Sequence, residues 1–406
     1  MKTVMLVAGG KWQVPLAKKI KSMGYRLVCS NLYPDSPAFE YADYSEVADV
    51  LDIERNFEIA KKYKISAIVS DQSDIATRTI AYIASELKLP TNGVAFANLF
   101  SNKVEMRKHC QKTGFPSPKF AACHNVDDAL GFYNIEKNKI ILKPHDSQSS
   151  RGVYIANSPE DVIKYFPLSQ EQSHGDMTVI VEDYIEGTEF TVDGIFIDGK
   201  HHTLAISKKK HFEFNQNIAS ELLFSNYDDV FDYDMLRQQN NLLMDSTGAQ
   251  MGLSHNEYKF MNGKYYLVEM SNRGGGNMIA SHIVPLISGV DNYQIYLKQA
   301  LGQNIGSIEQ YKNHPTHKYV MLKFLNDADY RQNKKGIISK IDGLEELKAS
   351  MGMLEIQVHC NVGEHMGPVT DDSKRMGFYV SFADSLLQIK NIDNNVKNTL
   401  KIELEA

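Results

Sequence analysis

The chain has little cysteine, a single tryptophan and no excess of positive charge. Its 4 cysteines, Cys29, Cys110, Cys123 and Cys360, lie far apart and form no Cys-x-x-Cys pair. That spacing argues against a disulfide framework or a zinc site and points to free thiols in a reducing compartment. A formal net charge of −6 argues against a nucleic-acid grip as the main purpose. No apolar run approaches the length of a membrane span. Met1-Lys2-Thr3 leads through VMLVAGG straight into polar sequence, too short an apolar stretch for an export signal. Gly9-Gly10 follows the first apolar run, but GGKWQ is not the GxGxxG of a dinucleotide site, and the phosphate loop GxxxxGK[ST] is absent. There is no internal repeat and no low-complexity tract. The expectation is a cytoplasmic protein that binds neither nucleic acid nor membrane.

What is present is enough for two or three domains: 406 residues, 43% of them apolar. Residues 1–98 alternate short buried strands (Val4–Ala8, Tyr25–Cys29, Ile65–Ser70) with helical spacing (Gln13–Met23, Asn56–Tyr63, Thr77–Leu87), which predicts a parallel sheet covered on both faces. Residues 99–310 change character, with subdomains at about 112–185 and 186–310. Lys103–Thr113 reads as a helix stopped by Gly114, and Lys139–Pro144 and Thr178–Tyr184 as strands. Asp198-Gly199 and Asn262-Gly263, each between apolar alternations, predict two hairpins. Gln303–Thr316 is polar and ends near Pro315, so residues 315–406 read as a separate small α+β unit.

Three constellations carry chemistry. Lys143 ends a strand and opens the polar loop Pro144–Val153, whose backbone N–H groups suit phosphate oxygens. Val181–Gly194 runs strand, linker, strand, the kind of hinge that offers a purine both backbone polar groups and apolar faces, with Glu189 in reach of a ribose. Glu257 and Glu269 fall near cross-strand positions about Asn262-Gly263. Facing carboxylates are destabilising without a cation between them, and their oxygens suit Mg²⁺. Arg273 stands just beyond, before Gly274-Gly275-Gly276, which would let the backbone pass close to a phosphate or substrate. Asp71, Ser73 and Asp74, in SDQSD, read as helix-capping residues, with a substrate amine as the alternative partner. The run Lys208–His211 reads as a solvated edge, with contact of one lysine to phosphate as the alternative.

In order and spacing these pieces resemble the ATP-grasp ligases over nearly the whole chain. The resemblance implies a mixed α/β and α+β fold: a Rossmann-like pre-ATP-grasp domain, a two-part ATP-binding centre and a small C-terminal domain. It implies that Lys103 and Lys143 contact ATP phosphates and that Ser149, Ser150, Arg151, Gly152 and Val153 lie in the loop over them. It assigns the adenine edge to Glu182 and the Tyr184-Ile185 backbone, and the ribose to Glu189. Glu257, Glu269 and Asn272 become ligands of Mg²⁺, or of Mn²⁺, and Arg273 steadies an acyl-phosphate. The commoner pattern is Glu-x-Asn-x-Arg; here Asn272 stands three residues after Glu269, while Arg273 keeps its spacing. The Ser-Arg-Gly-Val loop, Gly336-Ile337-Ile338 and the late Gly-Phe-Tyr-Val look like the L-amino acid ligases. That branch implies joining of a small-molecule carboxylate to an amine, with a homodimer as the family-level expectation. An amino-sugar or other metabolite amine, a small-molecule kinase and a nucleotide-binding regulator are the competing readings.

Overall fold

Thr3–Val7 (β1) is buried at every position, as befits a strand covered on both faces. The computed structural model describes residues 1–136, 138–147, 151–173, 175–325, 336–366 and 374–405. In it β1 pairs in parallel with Arg26–Asn31 (β2), which pairs in parallel with Tyr44–Val47 (β3). On its other side β1 pairs in parallel with Ala67–Val69 (β4). Side chains alternate between two cores. Val4 and Leu6 pack with Leu16 and Ile20 of the helix Val14–Ser22, while Met5 and Val7 pack with Ile59 and Ile83 of Ile53–Lys62 and Ala76–Glu86.

The second layer is antiparallel. Phe120–Cys123 (β5), Ile140–Pro144 (β6), Tyr154–Ala156 (β7) and Val179–Asp183 (β8) form a sheet in the order β5-β8-β6-β7. Ile140, Leu142, Val179 and Val181 face the helices Val126–Glu136 and Pro159–Gln170. By strand alternation Ile141, Lys143 and Glu182 face the other way, into a cleft.

The opposite wall of that cleft is the largest sheet. Thr188–Ile197 (β9) and Lys200–Phe212 (β10) turn at Asp198-Gly199; then comes Asn215–Ser225 (β11). Gly252–Met261 (β12) and Lys264–Ser271 (β13) turn at Asn262-Gly263. Both turns have positive φ at both central residues (48° and 75°, 51° and 77°), the geometry that Asp-Gly and Asn-Gly favour. The sheet continues into Tyr319–Leu325 (β14). Gly336–Asp342 (β15) lies apart, Met353–Val358 (β16) rejoins the large sheet, His365–Met366 (β17) pairs with β15, Gly377–Ala383 (β18) joins β14, and Lys401–Glu405 (β19) completes a small sheet, β17-β15-β19.

The eight-stranded order is β13-β12-β9-β10-β11-β14-β18-β16. The C-terminal unit expected at residues 315–406 shares strands with this sheet. The chain does pass through a connection before Tyr319, but Glu221–Ser225 of β11 pair with Tyr319–Lys323 of β14, so backbone hydrogen bonds cross the expected boundary. All four cysteines are free and buried. Among the described residues no helix is long and apolar enough to cross a membrane.

Candidate functional site

The two facing sheets enclose an open cleft. Lys103, Lys143, Glu182, Tyr184, Ile185, Glu189, Glu257 and Glu269 all line it, with Val153 at its rim. The helix Lys103–Thr113 brings Lys103 there. Its N-cap Asn102 accepts from the Val104 and Glu105 N–H groups, and the Lys103 N–H donates to the His145 carbonyl at 2.9 Å. Arg151 is exposed and Gly152 follows it; Ser149 and Ser150 lie outside the described residues.

Glu257 and Glu269 are direct partners across β12 and β13, and a bulge follows at once, where Tyr258 pairs with Leu267. Each carboxylate has its own ammonium. Lys103 Nζ donates to Glu269 at 3.1 Å, and to the Ser147 carbonyl at 2.8 Å. Lys209 Nζ donates to Glu257 at 3.0 Å and to Glu189 at 2.6 Å. Glu189 also faces His211 at 3.3 Å and Lys259 at 4.0 Å. Burial raises the Glu189 and Glu257 carboxyls, but the neighbours together hold both below the usual range: Lys209, His211 and Lys259 at Glu189, and Lys209 with His255 at Glu257. Among the described residues no three His, Cys, Asp or Glu side chains gather into a closed metal cage. Two opposed carboxylates in an open cleft do fit Mg²⁺, which keeps several positions for water and phosphate oxygens.

At the other end, the Ile185 N–H and C=O have no partner among the described residues, although Ile185 is only 7% exposed. An unpaired buried backbone pair is rare and asks for a ligand. One of the expected contacts there is corrected. The Tyr184 N–H is already donated to the Lys139 carbonyl. Glu182 is fully buried between Arg107 at 2.6 Å and Lys143 at 2.8 Å, so it holds Lys143 in place.

Asn272 is also corrected. Its amide donates to the Leu253 carbonyl at 2.9 Å and its oxygen accepts from Asn92 at 2.9 Å. It lines a neighbouring cavity between the first domain and the large sheet, not the cleft, so it bridges domains and is not placed to bind a metal. Arg273 lines the same cavity, gripped two-pronged by Asp74 at 2.7 Å and 2.7 Å, with a third bond to the Gly274 carbonyl at 3.0 Å. Asp74 therefore orients Arg273; its side chain does not cap the helix Ala76–Glu86. Gly274 and Gly275 are held by close protein contacts, while Gly276 faces open space. A Cβ on Gly275 would stand 2.7 Å from Asp193 Oδ1 and 2.8 Å from His255 Nδ1, and one on Gly274 would stand 2.4 Å from Asp71 Oδ1. His255 is paired with Asp193 at 2.9 Å rather than with Glu257.

Asp71 is wholly buried, bonded to Tyr293 and Gln72, with Oδ1 unpartnered. Burial pushes its carboxyl up to about 6 against those bonds. An acid raised on folding favours the protonated folded state, so stability is lost as pH rises from the unfolded value, near 4, through 6. Asp71→Asn removes that dependence. Relative to the variant, the wild type is expected to lose about 2 kcal/mol between pH 4.5 and 7.5 in denaturant unfolding. A difference that does not change with pH would count against it.

Sequence reasoning missed Lys209, His211, Lys259 and Arg107. Strand alternation was the available signal: in β10 Lys209 and His211 face the cleft, while Lys208 pairs with Asp228 and Lys210 with Glu221 on the other side.

Comparison with known proteins agrees with this architecture. Residues 136–281 match the model of an ATP-grasp domain, and residues 331–405 that of L-amino acid ligase C-terminal domain 2. The solved structure of an L-amino acid ligase from Bacillus licheniformis superposes with TM-score 0.82 over 100% of this chain and 99% of its own, at 17% identity. That of a phosphoribosylglycinamide synthetase from Anaerococcus prevotii superposes with TM-score 0.75 over 100% of both, also at 17%. A formate-dependent phosphoribosylglycinamide formyltransferase from Ignicoccus hospitalis is 23% identical over 184 residues, 45% of this chain and 46% of that protein. The chain spans about half the length of the curated relatives it matches. The chain thus has an ATP-grasp fold, with the ATP-grasp match at residues 136–281 and the L-amino acid ligase C-terminal domain 2 match at residues 331–405.

Proposed function

We propose that the protein is an ATP-dependent carboxylate–amine ligase that works through an acyl-phosphate, with an amino acid as one substrate. The observation that carries this reading is the cleft itself. Unpaired Ile185 backbone groups lie at one end, and the opposed Glu257–Glu269 pair lies among Lys103, Lys143 and Lys209 at the other. Adenine would take its edge contacts from Ile185, the ribose would meet Glu189, and Lys103 and Lys143 would meet the phosphates. Glu257 and Glu269 would hold magnesium, which would supply charge neutralisation for the phosphates.

The chain's own contribution is position and charge. Glu182 and Arg107 fix Lys143 beneath the phosphates. A substrate carboxylate attacks the γ-phosphorus, ADP leaves, and an acyl-phosphate forms. An amine then attacks the acyl carbon, the C–O bond to phosphate breaks, and an amide and phosphate result. Three of the five Arg273 N–H groups are committed to Asp74 and Gly274, which leaves two in a fixed orientation for the oxygens of that intermediate. No protein nucleophile is required. The C-terminal match to L-amino acid ligases favours an amino acid over other amines.

The test is phosphate release from Mg²⁺-ATP with amino acids singly and in pairs, with mass detection of products. Release that needs a carboxylate and an amine together, with a condensed product, is the expected result. A stable phosphorylated product from one substrate alone would replace the ligase with a kinase. Nucleotide binding without release under any pairing would count against the amino-acid assignment.

A further inference from the structure

Lys209 ties the two ends of the cleft together. Its ammonium bridges Glu189 and Glu257, and its side chain is 13% exposed. Lys103 does the same service for Glu269, with its side chain 8% exposed. Each oxygen donor for a divalent cation is thus already neutralised from within, and neither lysine reaches open solvent without leaving the cleft.

We propose that Lys209 and Lys103 are built-in placeholders for the metal, so that a divalent cation enters this site only together with a nucleotide. The idea rests on the nucleotide-site reading above. A bare cation arriving between Glu257 and Glu269 meets two ammonium groups on the same carboxylates, and like charges that close repel. A polyphosphate changes the balance. Its oxygens give both ammonium groups new partners inside the cleft, and the two glutamates are released to the cation. Lys209 leaves Glu189 in the same movement and frees that carboxylate for a sugar hydroxyl. Metal and nucleotide therefore bind with positive coupling, and by linkage each strengthens the other equally. Lys209 is the switch residue, since it alone holds both a ribose-side and a metal-side carboxylate.

The experiment titrates Mn²⁺ into the full chain and follows the free ion by electron paramagnetic resonance, with and without a non-hydrolysable ATP analogue. Without nucleotide the wild type is expected to bind Mn²⁺ at least tenfold more weakly than Lys209→Met or Lys103→Met; with the analogue it binds tightly. Adding Glu257→Gln to Lys209→Met is expected to remove the gain. Tight binding by the wild type without nucleotide overturns the proposal, and that result needs no variant. If Mn²⁺ binds only with the analogue but neither lysine variant, shown folded by circular dichroism, gains affinity, the placeholder role falls and the nucleotide site stands. If Mn²⁺ fails to bind the wild type even with the analogue, the nucleotide-site reading itself fails.

Discussion

Glu269→Gln is expected to lower ATP-dependent turnover by about a hundred- to a thousandfold, the effect of several kcal/mol of lost charge stabilisation. The substitution keeps the shape of the side chain and removes one negative oxygen from the pair opposed across β12 and β13. Glu269 is partly exposed, at 29% of its side chain, and its partner Lys103 keeps a bond to the Ser147 carbonyl, so the fold has little reason to suffer. A single-turnover assay at saturating Mg²⁺-ATP, set beside a thermal melt, separates the two effects. A variant that melts like the wild type and turns over within a few fold of it would remove Glu269 from the reaction.

Glu182→Gln is expected to act on stability instead. The Glu182 carboxylate is fully buried between Arg107, itself fully buried, and Lys143, so neutralising it strands two cations in the interior. Removing one partner of a buried ion pair costs about 3 to 5 kcal/mol. Burial alone would raise the Glu182 carboxyl, yet Arg107 and Lys143 hold it below the usual range. Its contribution is therefore present above the ordinary glutamate pKa and fades as pH falls below that value. Urea unfolding at pH 7 is the measurement. A loss under about 1 kcal/mol would mean that water or rearrangement satisfies the two cations, contrary to the burial argument.

The parts of the fold written in local signals were legible. Asp198-Gly199 and Asn262-Gly263 set the two hairpins, and the second brought Glu257 near Glu269; the bulge between Glu257 and Tyr258, which no local signal announces, makes them direct partners. Asn102 and Gly114 bounded the helix Lys103–Thr113 at the expected residues. What stayed hidden depends on partners remote in sequence. Arg107 meets Glu182 and Asp74 meets Arg273 between segments far apart in the chain, and no spacing announces either pairing. Asn272 looked like a ligand because it neighbours one in sequence, but it follows the last residue of β13, and its amide serves Asn92 and Leu253. The continuity of β11 with β14 was also illegible, because a polar connection reads as a boundary whether or not the next strand returns to the same sheet.

That continuous sheet has a mechanical consequence. Eight strands hydrogen-bonded edge to edge make one stiff plate, and the C-terminal strands are riveted into it. Any closing stroke over a bound molecule must therefore come from the other jaw, the β5-β8-β6-β7 sheet with its two helices. That jaw is joined to the plate by two short straps, residues 114–119 and 184–187. The second strap ends on Gly187, at φ 143°, where a Cβ would sit 2.0 Å from the Phe260 carbonyl oxygen. The pivot is thus a glycine seated directly on the plate. The residue just inside it is Ile185, so under the proposed function the strap that joins the two sheets is also the one that would meet the base.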